Sequence, residues 1–242
     1  LPLAALGEDP PPPPEGVWTG KGQAGYVSSK GNTDSTSANV ALDTALVEGP
    51  WKHAFHLGGL YGKSGDVVSA ERWDASWQTN YQFTEEIYTF GALHDMHDMF
   101  SGFAYQESLE GGLGYKFFDT DAIKLSAQLG VGYRRLRPED LVKDPATGAV
   151  IARIPSAATS GVVETAGVTY SQALTSSTTI SDKLYVETGS SDTLVTNALA
   201  LAVKISTKLA LSVGYSIQDN TKPPGVLKKL DTLETLNLVY SF

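Results

Sequence analysis

Between residues 72 and 83 the chain alternates without a break. Trp73, Ala75, Trp77, Thr79, Tyr81 and Phe83 take the odd positions, with Arg72, Asp74, Ser76, Gln78, Asn80 and Gln82 between them. Successive side chains of a strand point to opposite faces, so this segment predicts a strand with one aromatic and one polar face. The same period closes the chain: Leu236, Leu238, Tyr240 and Phe242 share a face, and Asn237 and Ser241 share the other. A two-faced strand lies half buried in a soluble sandwich or half dissolved in lipid. Length separates the two, because the segments run about 11–15 residues, against ~5–6 for globular strands, and that is enough to cross a bilayer at a tilt.

Segments of this kind begin near Val17, Ser35, Trp51, Ala70, Ile87, Phe103, Ala122, Gly161, Thr178, Thr193, Leu209 and Leu230. No 3.6-residue periodicity competes with them. They predict an all-β fold, a single antiparallel transmembrane β-barrel of about 12 strands, whose even number puts both termini on one side. The connections alternate in kind. Glu48-Gly49-Pro50, Thr84-Glu85-Glu86, Asp119-Thr120-Asp121, Thr175-Ser176-Ser177 and Ser206-Thr207 are tight turns; Ser64–Ser69, Met99–Gly102, Arg137–Thr159 and Thr221–Lys229 are longer loops. Short periplasmic turns and long external loops are the pattern of a barrel inserted from the periplasm into the bacterial outer membrane. Aromatic residues near segment ends, among them Trp18, Tyr26, Trp51, Tyr61, Tyr115 and Tyr133, would form the interfacial girdles.

The barrel is expected over residues 17–242, and residues 1–16 form a Pro-rich periplasmic segment. Its run Pro10–Pro14 cannot donate backbone hydrogen bonds and favours a stiff, extended tether. The opening residues Leu1 to Leu6 lack a basic region and a long apolar stretch, so an export signal is expected to be removed or to lie upstream.

Composition changes this picture little. A hydrophobic content of 41% and a mean hydropathy of −0.13 look soluble, yet alternation dilutes lipid-facing residues with lumen-facing ones. The longest apolar stretches, such as Ala198–Val203, fall far short of the ~18 residues a spanning helix needs. The chain has no cysteine, which excludes disulfides, thiolate metal sites and a cysteine nucleophile. A net charge of −9 without any basic run argues against nucleic acid as a partner.

With the aromatic face in lipid, the polar face lines a lumen. Its ionisable residues are Lys21, Asp43, Arg72, Asp74, Asp95 and Glu110, together with Lys116, Lys124, Arg134, Lys183 and Lys204. Both signs are present, and about twelve strands enclose a bore narrower than a porin's. The expected role is a passive narrow channel or envelope component for small solutes and ions, with no cofactor and no catalysis. A structural or adhesive barrel that binds partners through its external loops or the Pro-rich tether is the alternative.

Three spots carry sharper expectations. Across the Asp119-Thr120-Asp121 turn, parity sets Lys116 opposite Lys124, a like-charge pair that an acidic neighbour, solvent or a bound anion must offset. Across the Glu85-Glu86 turn it sets Asp74 opposite His97 and Ser76 opposite Asp95, all inward. A barrel-embedded hydrolase would need Ser bonded to His and the imidazole oriented by a carboxylate, and a one-residue slip in register breaks that geometry. His53/His56 and His94/His97 are three apart and so face opposite ways on a regular strand, which prevents chelation by either pair unless a bulge lies near Met96. Glu107, Asp182 and Glu234 fall on the nominal lipid face and are expected near the headgroups, after a bulge, or against another subunit.

Gly20 to Asn32 reads G-K-G-Q-A-G-Y-V-S-S-K-G-N. Gly111-Gly112-Leu113-Gly114-Tyr115 and Leu129-Gly130-Val131-Gly132-Tyr133 follow, then Lys228, Asp231 and the ending Val239-Tyr240-Ser241-Phe242. In order and spacing these resemble the salt-induced outer-membrane protein family, from Trp18 to Phe242. The resemblance implies an outer-membrane barrel without an established activity. A last strand ending on Phe242, with Tyr240 two residues before it, also resembles the signal by which the barrel-assembly machinery of Gram-negative bacteria recognises its clients. The implied partners are that machinery and outer-membrane lipids, with a homo-oligomer or a periplasmic partner at Pro10–Pro14 as further expectations.

Overall fold

The computed structural model describes residues 16–29, 34–190, 192–224 and 227–242, and among them it forms thirteen strands and no helix. The Pro-rich run and residues 30–33 lie outside the described residues. The strands are β1 (Trp18–Ser29), β2 (Ser35–Glu48), β3 (Trp51–Ser64), β4 (Val67–Gln82), β5 (Ile87–Asp98), β6 (Phe103–Asp119) and β7 (Ile123–Lys143). They continue with β8 (Val150–Pro155), β9 (Thr159–Ala173), β10 (Thr178–Gly189), β11 (Thr193–Lys204), β12 (Leu209–Asn220) and β13 (Leu230–Ser241). All but β8 join in chain order as antiparallel neighbours, and β13 returns to β1, which closes a twelve-stranded barrel.

The seam is short. Lys21 to Ala24 face Ser241 to Leu238, and Gly20 and Phe242 exchange two backbone hydrogen bonds of 3.0 Å. Beyond them Asn39 of β2 donates to Asn237 of β13 at 2.8 Å, passing over Gly25, where any β-carbon would collide with both amides. Closure joins the two ends of the sheet, as strands in hydrocarbon require, because backbone groups there find no water.

Burial is inside out relative to a soluble domain. Trp73, Trp77, Leu109, Leu129, Val162 and Leu236 are between 39% and 70% exposed, all on the outer face. A continuous apolar exterior of this size marks a membrane surface. Aromatic rings gather at the short-turn end: Trp18 meets Phe55 at 5.6 Å between centroids, Trp51 meets Tyr81 at 4.9 Å and Tyr115 meets Phe117 at 5.0 Å. Inside, Tyr88, Phe90 and Ala92 of β5 form the buried apolar cluster. Phe90 lies beside Gly130, and Tyr88 lies over Gly114. The glycines of β6 and β7 are flat spots on which these inward rings rest.

Two loop expectations change. Arg137–Thr159 is not irregular chain: β7 overshoots the wall and folds back as a hairpin with β8, Glu139 opposite Pro155 and Leu141 opposite Arg153. Ser64–Ser69 is not a long loop. Only Gly65 and Asp66 separate β3 from β4, with Gly65 at φ +60°, a conformation suited to a two-residue hairpin turn. Polar residues such as Lys63 and Ser64 read as loop, but ladder pairing with Val68 and Val67 extends the hairpin through them, with Ser69 at a bulge.

Candidate functional site

Backbone pairing decides which side chains share the lumen, because partners in an antiparallel ladder lie on the same face. One inward row runs Lys21, Asp43, His56, Ser76, His94, Ser108 and Arg134 across seven strands. Arg72 and Asp98 share a second row, and Asp74 a third with Met96. Glu110, Lys116, Lys124, Lys183 and Lys204 occupy the same face. Asp95 does not. It lies between Ala75 and Glu107 on the lipid side, one position away from inward His94.

Asp95 was expected inward because Asp74 was set against His97 and Ser76 against Asp95. The actual partners are Met96 and His94. A slip of one residue across the turn between β4 and β5 reverses the face of every side chain beyond it. His97 therefore points outward, stacked on Trp73 at 5.7 Å with its Nε2 against the Met99 sulfur. Ser76, His97 and Asp95 are not brought together, and the hydrolase arrangement is not formed. The ladder is irregular between Met96 and Asp98, yet His94 and His97 still face opposite ways.

The lumen is crossed by polar links at mid-height. His56 lies between two carboxylates, Nδ1 2.7 Å from Asp43 and Nε2 3.0 Å from Asp74, and Arg72 reaches the other Asp74 oxygen at 3.3 Å. Lys21 adds a 3.7 Å contact to Asp43. A second group forms among β5, β6, β7 and β10. Glu110, 4% exposed, meets the His94 imidazole at 3.1 Å and accepts from the Tyr185 hydroxyl at 3.2 Å. Arg134 donates to Glu187 at 2.7 Å and to Asp192. Gln78 and Gln128 approach at 3.4 Å. Sequence reasoning passed over Tyr185, Glu187 and Lys52 as lumen residues. The signal was present: Tyr185 and Glu187 share the parity of Lys183, and Lys52 shares that of His56.

At the short-turn end, Lys116 does not face Lys124. A shift between Lys116 and Phe118 sets Lys116 opposite Ser126 and brings Asp119 opposite Lys124, and Lys116 bonds Asp119 at 3.1 Å. The like-charge pair is thus relieved by an acidic neighbour supplied by a bulge. The outward carboxylates have partners as well: Glu107 lies 3.9 Å from Arg135, and Asp182 accepts from Asn197 at 2.8 Å. Glu234 faces Tyr215.

At the other mouth, Arg153 of β8 bonds Glu139 at 3.1 Å and the Met99 carbonyl and sits over Phe100. These contacts hold the β7–β8 hairpin against the β5–β6 connection. A cavity of about 330 Å³ lies there, bordered by Phe103, Lys143, Gln218, Leu227, Lys228 and Lys229. A model of the family described as a protein of unknown function, DUF481, matches residues 22–242.

The chain belongs to the DUF481 family. Its relative YdiY, described as an uncharacterized protein of Escherichia coli (strain K12), is 26% identical over 236 residues, covering 96% of this chain and 86% of that protein. The salt-induced outer-membrane protein resemblance read from the sequence is to this same family. Among solved structures, an outer membrane channel from Pseudomonas putida F1 superposes with a TM-score of 0.53, 11% identity and coverage of 98% of this chain and 100% of that one. At that identity the likeness is one of fold: the DUF481 barrel shares the architecture of an outer-membrane channel.

Proposed function

We propose that this barrel is a narrow passive channel of the bacterial outer membrane for small hydrophilic solutes and ions, with both termini in the periplasm. One observation carries the reading. The inward face is lined with polar and ionised groups while the outer face is apolar, and a wet interior is what a solute path requires. Membership in the DUF481 family and the fold shared with an outer membrane channel support the location. The orientation follows from the short turns, which barrels inserted from the periplasm keep on that side. The reading assigns no cofactor and no reaction to the lumen. Single-channel recording of the refolded protein in a planar bilayer tests it: discrete conductance steps are expected, and a folded barrel that stays silent overturns it.

A second reading has its own observation. The β7–β8 hairpin projects beyond the wall and presents Ile151 and Ile154 at 63% and 57% exposure, the kind of apolar surface used in partner contacts. An adhesive role predicts that removing residues 144–149 with both hairpin arms abolishes surface attachment and leaves conductance untouched.

A further inference from the structure

The ionised groups of the lumen are sorted by height. At mid-height each carboxylate has a cationic or hydrogen-bonding partner: Asp43 and Asp74 on His56, Glu110 on His94 and Tyr185, Glu187 on Arg134. Towards the short turns the balance changes. Lys52 enters from the start of β3, Lys116 from near the end of β6 and Lys124 from the start of β7, and Lys183 stands above them midway along β10. Lys116 and Lys183 stand in one inward row through Ser126 and Thr169. Lys116, Lys124 and Lys183 all lie near enough to act on the charge of Lys52. Lys183 also lies within electrostatic range of Asp43 of β2.

The nearest carboxylates are already engaged: Asp119, opposite Lys124, is bonded to Lys116, and Asp43 is held by His56 and Lys21. Among the described residues, Lys52, Lys124 and Lys183 have no carboxylate within 4 Å. Three ammonium groups from three strands therefore line one stretch of the bore with no carboxylate bonded to any of them, between low-dielectric walls. Such a cleft focuses field and concentrates ions of opposite sign. Each ammonium offers three donors and no acceptor. Lysines act as point charges on flexible stems, so they select for charge more than for the planar shape that an arginine fork would demand.

We propose that Lys52, Lys124 and Lys183 form a binding site for a small multivalent anion whose oxygens are of phosphate or carboxylate type. The anion supplies the bonded counter-charge that these three lysines lack, and its charge, not its outline, decides entry. At the opposite mouth Lys143, Lys228 and Lys229 outnumber Asp231 around the cavity, so the balance of sign there also favours anions. The site stands whether or not the lumen conducts.

Calorimetric titration of the refolded barrel in a zwitterionic detergent with inorganic pyrophosphate, at low salt, tests the proposal. Saturable binding is expected. It weakens at least tenfold in Lys52→Gln/Lys183→Gln, tightens in Asp119→Asn, and is unchanged in Lys208→Gln, whose ammonium sits over the Tyr240 ring away from the cluster. Heat-dependent mobility on gels confirms that each variant is folded. Absence of saturable binding, or equal affinity in the double lysine variant, overturns the site. A barrel that binds pyrophosphate but passes no current upholds the site and refutes the channel reading. One that conducts without binding the probe refutes the site alone.

Discussion

The ring of Tyr88 lies directly over the bare α-carbon of Gly114 on the next strand, so that a β-carbon at residue 114 would fall within the ring. Tyr88 is 6% exposed and has little room to retreat. Gly114→Ala is expected to destabilise the barrel by about 1–3 kcal/mol through overpacking. Urea unfolding in lipid vesicles measures this. Adding Tyr88→Leu should recover part of the loss, and strictly additive effects would show that the two residues do not collide.

His56 holds Asp43 and Asp74 together through its two ring nitrogens. Two donors on one imidazole require both protons, so the link works as a cation between two anions. His56→Ala leaves the carboxylates facing each other and should cost about 1–3 kcal/mol for the lost charged hydrogen bonds in this partly wet site. His56→Gln, which keeps one donor amide, should cost less. Equal stability of the alanine variant and the native barrel would remove His56 from the set of bracing residues.

Leu129 and Gln128 are adjacent on β7 yet meet different solvents. Leu129 is 70% exposed on the outer face, whereas Gln128 sits inward opposite Gly114 and Gly167. Leu129→Arg should cost about 2–4 kcal/mol if it meets the bilayer near its midplane. Gln128→Arg, pointing into the wet lumen, should cost less than about 1 kcal/mol. Folding measurements in vesicles separate the two, and a reversed order would place the lipid on the other face.

Arg153 ties the β7–β8 hairpin to Glu139 and to the Met99 carbonyl. Arg153→Ala should leave barrel assembly intact while a protease added from outside cuts the hairpin faster. Unchanged cleavage would mean that the hairpin is held by its ladder with β7 alone.

The alternation of Trp73 to Phe83 and of Leu236 to Phe242 was enough to determine an all-β barrel, because the face of a side chain on a strand depends only on its position along that strand. The twelve wall strands follow from such local signals, and so do the inward places of Lys21, Arg72, Asp74, Lys183 and Lys204. Pairing between strands is different. It depends on turn length and on bulges, which no alternation pattern records, and each extra residue flips a face. Hence Asp95 and His97 point to lipid instead of the lumen, and the bulge between Lys116 and Phe118 gives Lys124 an aspartate instead of a lysine. Contacts that cross the bore, such as Tyr185 to Glu110 and Gln78 to Gln128, join strands far apart in sequence. Only closure of the cylinder sets those distances, and with them the separation of a braced, charge-paired middle from a lysine-lined end.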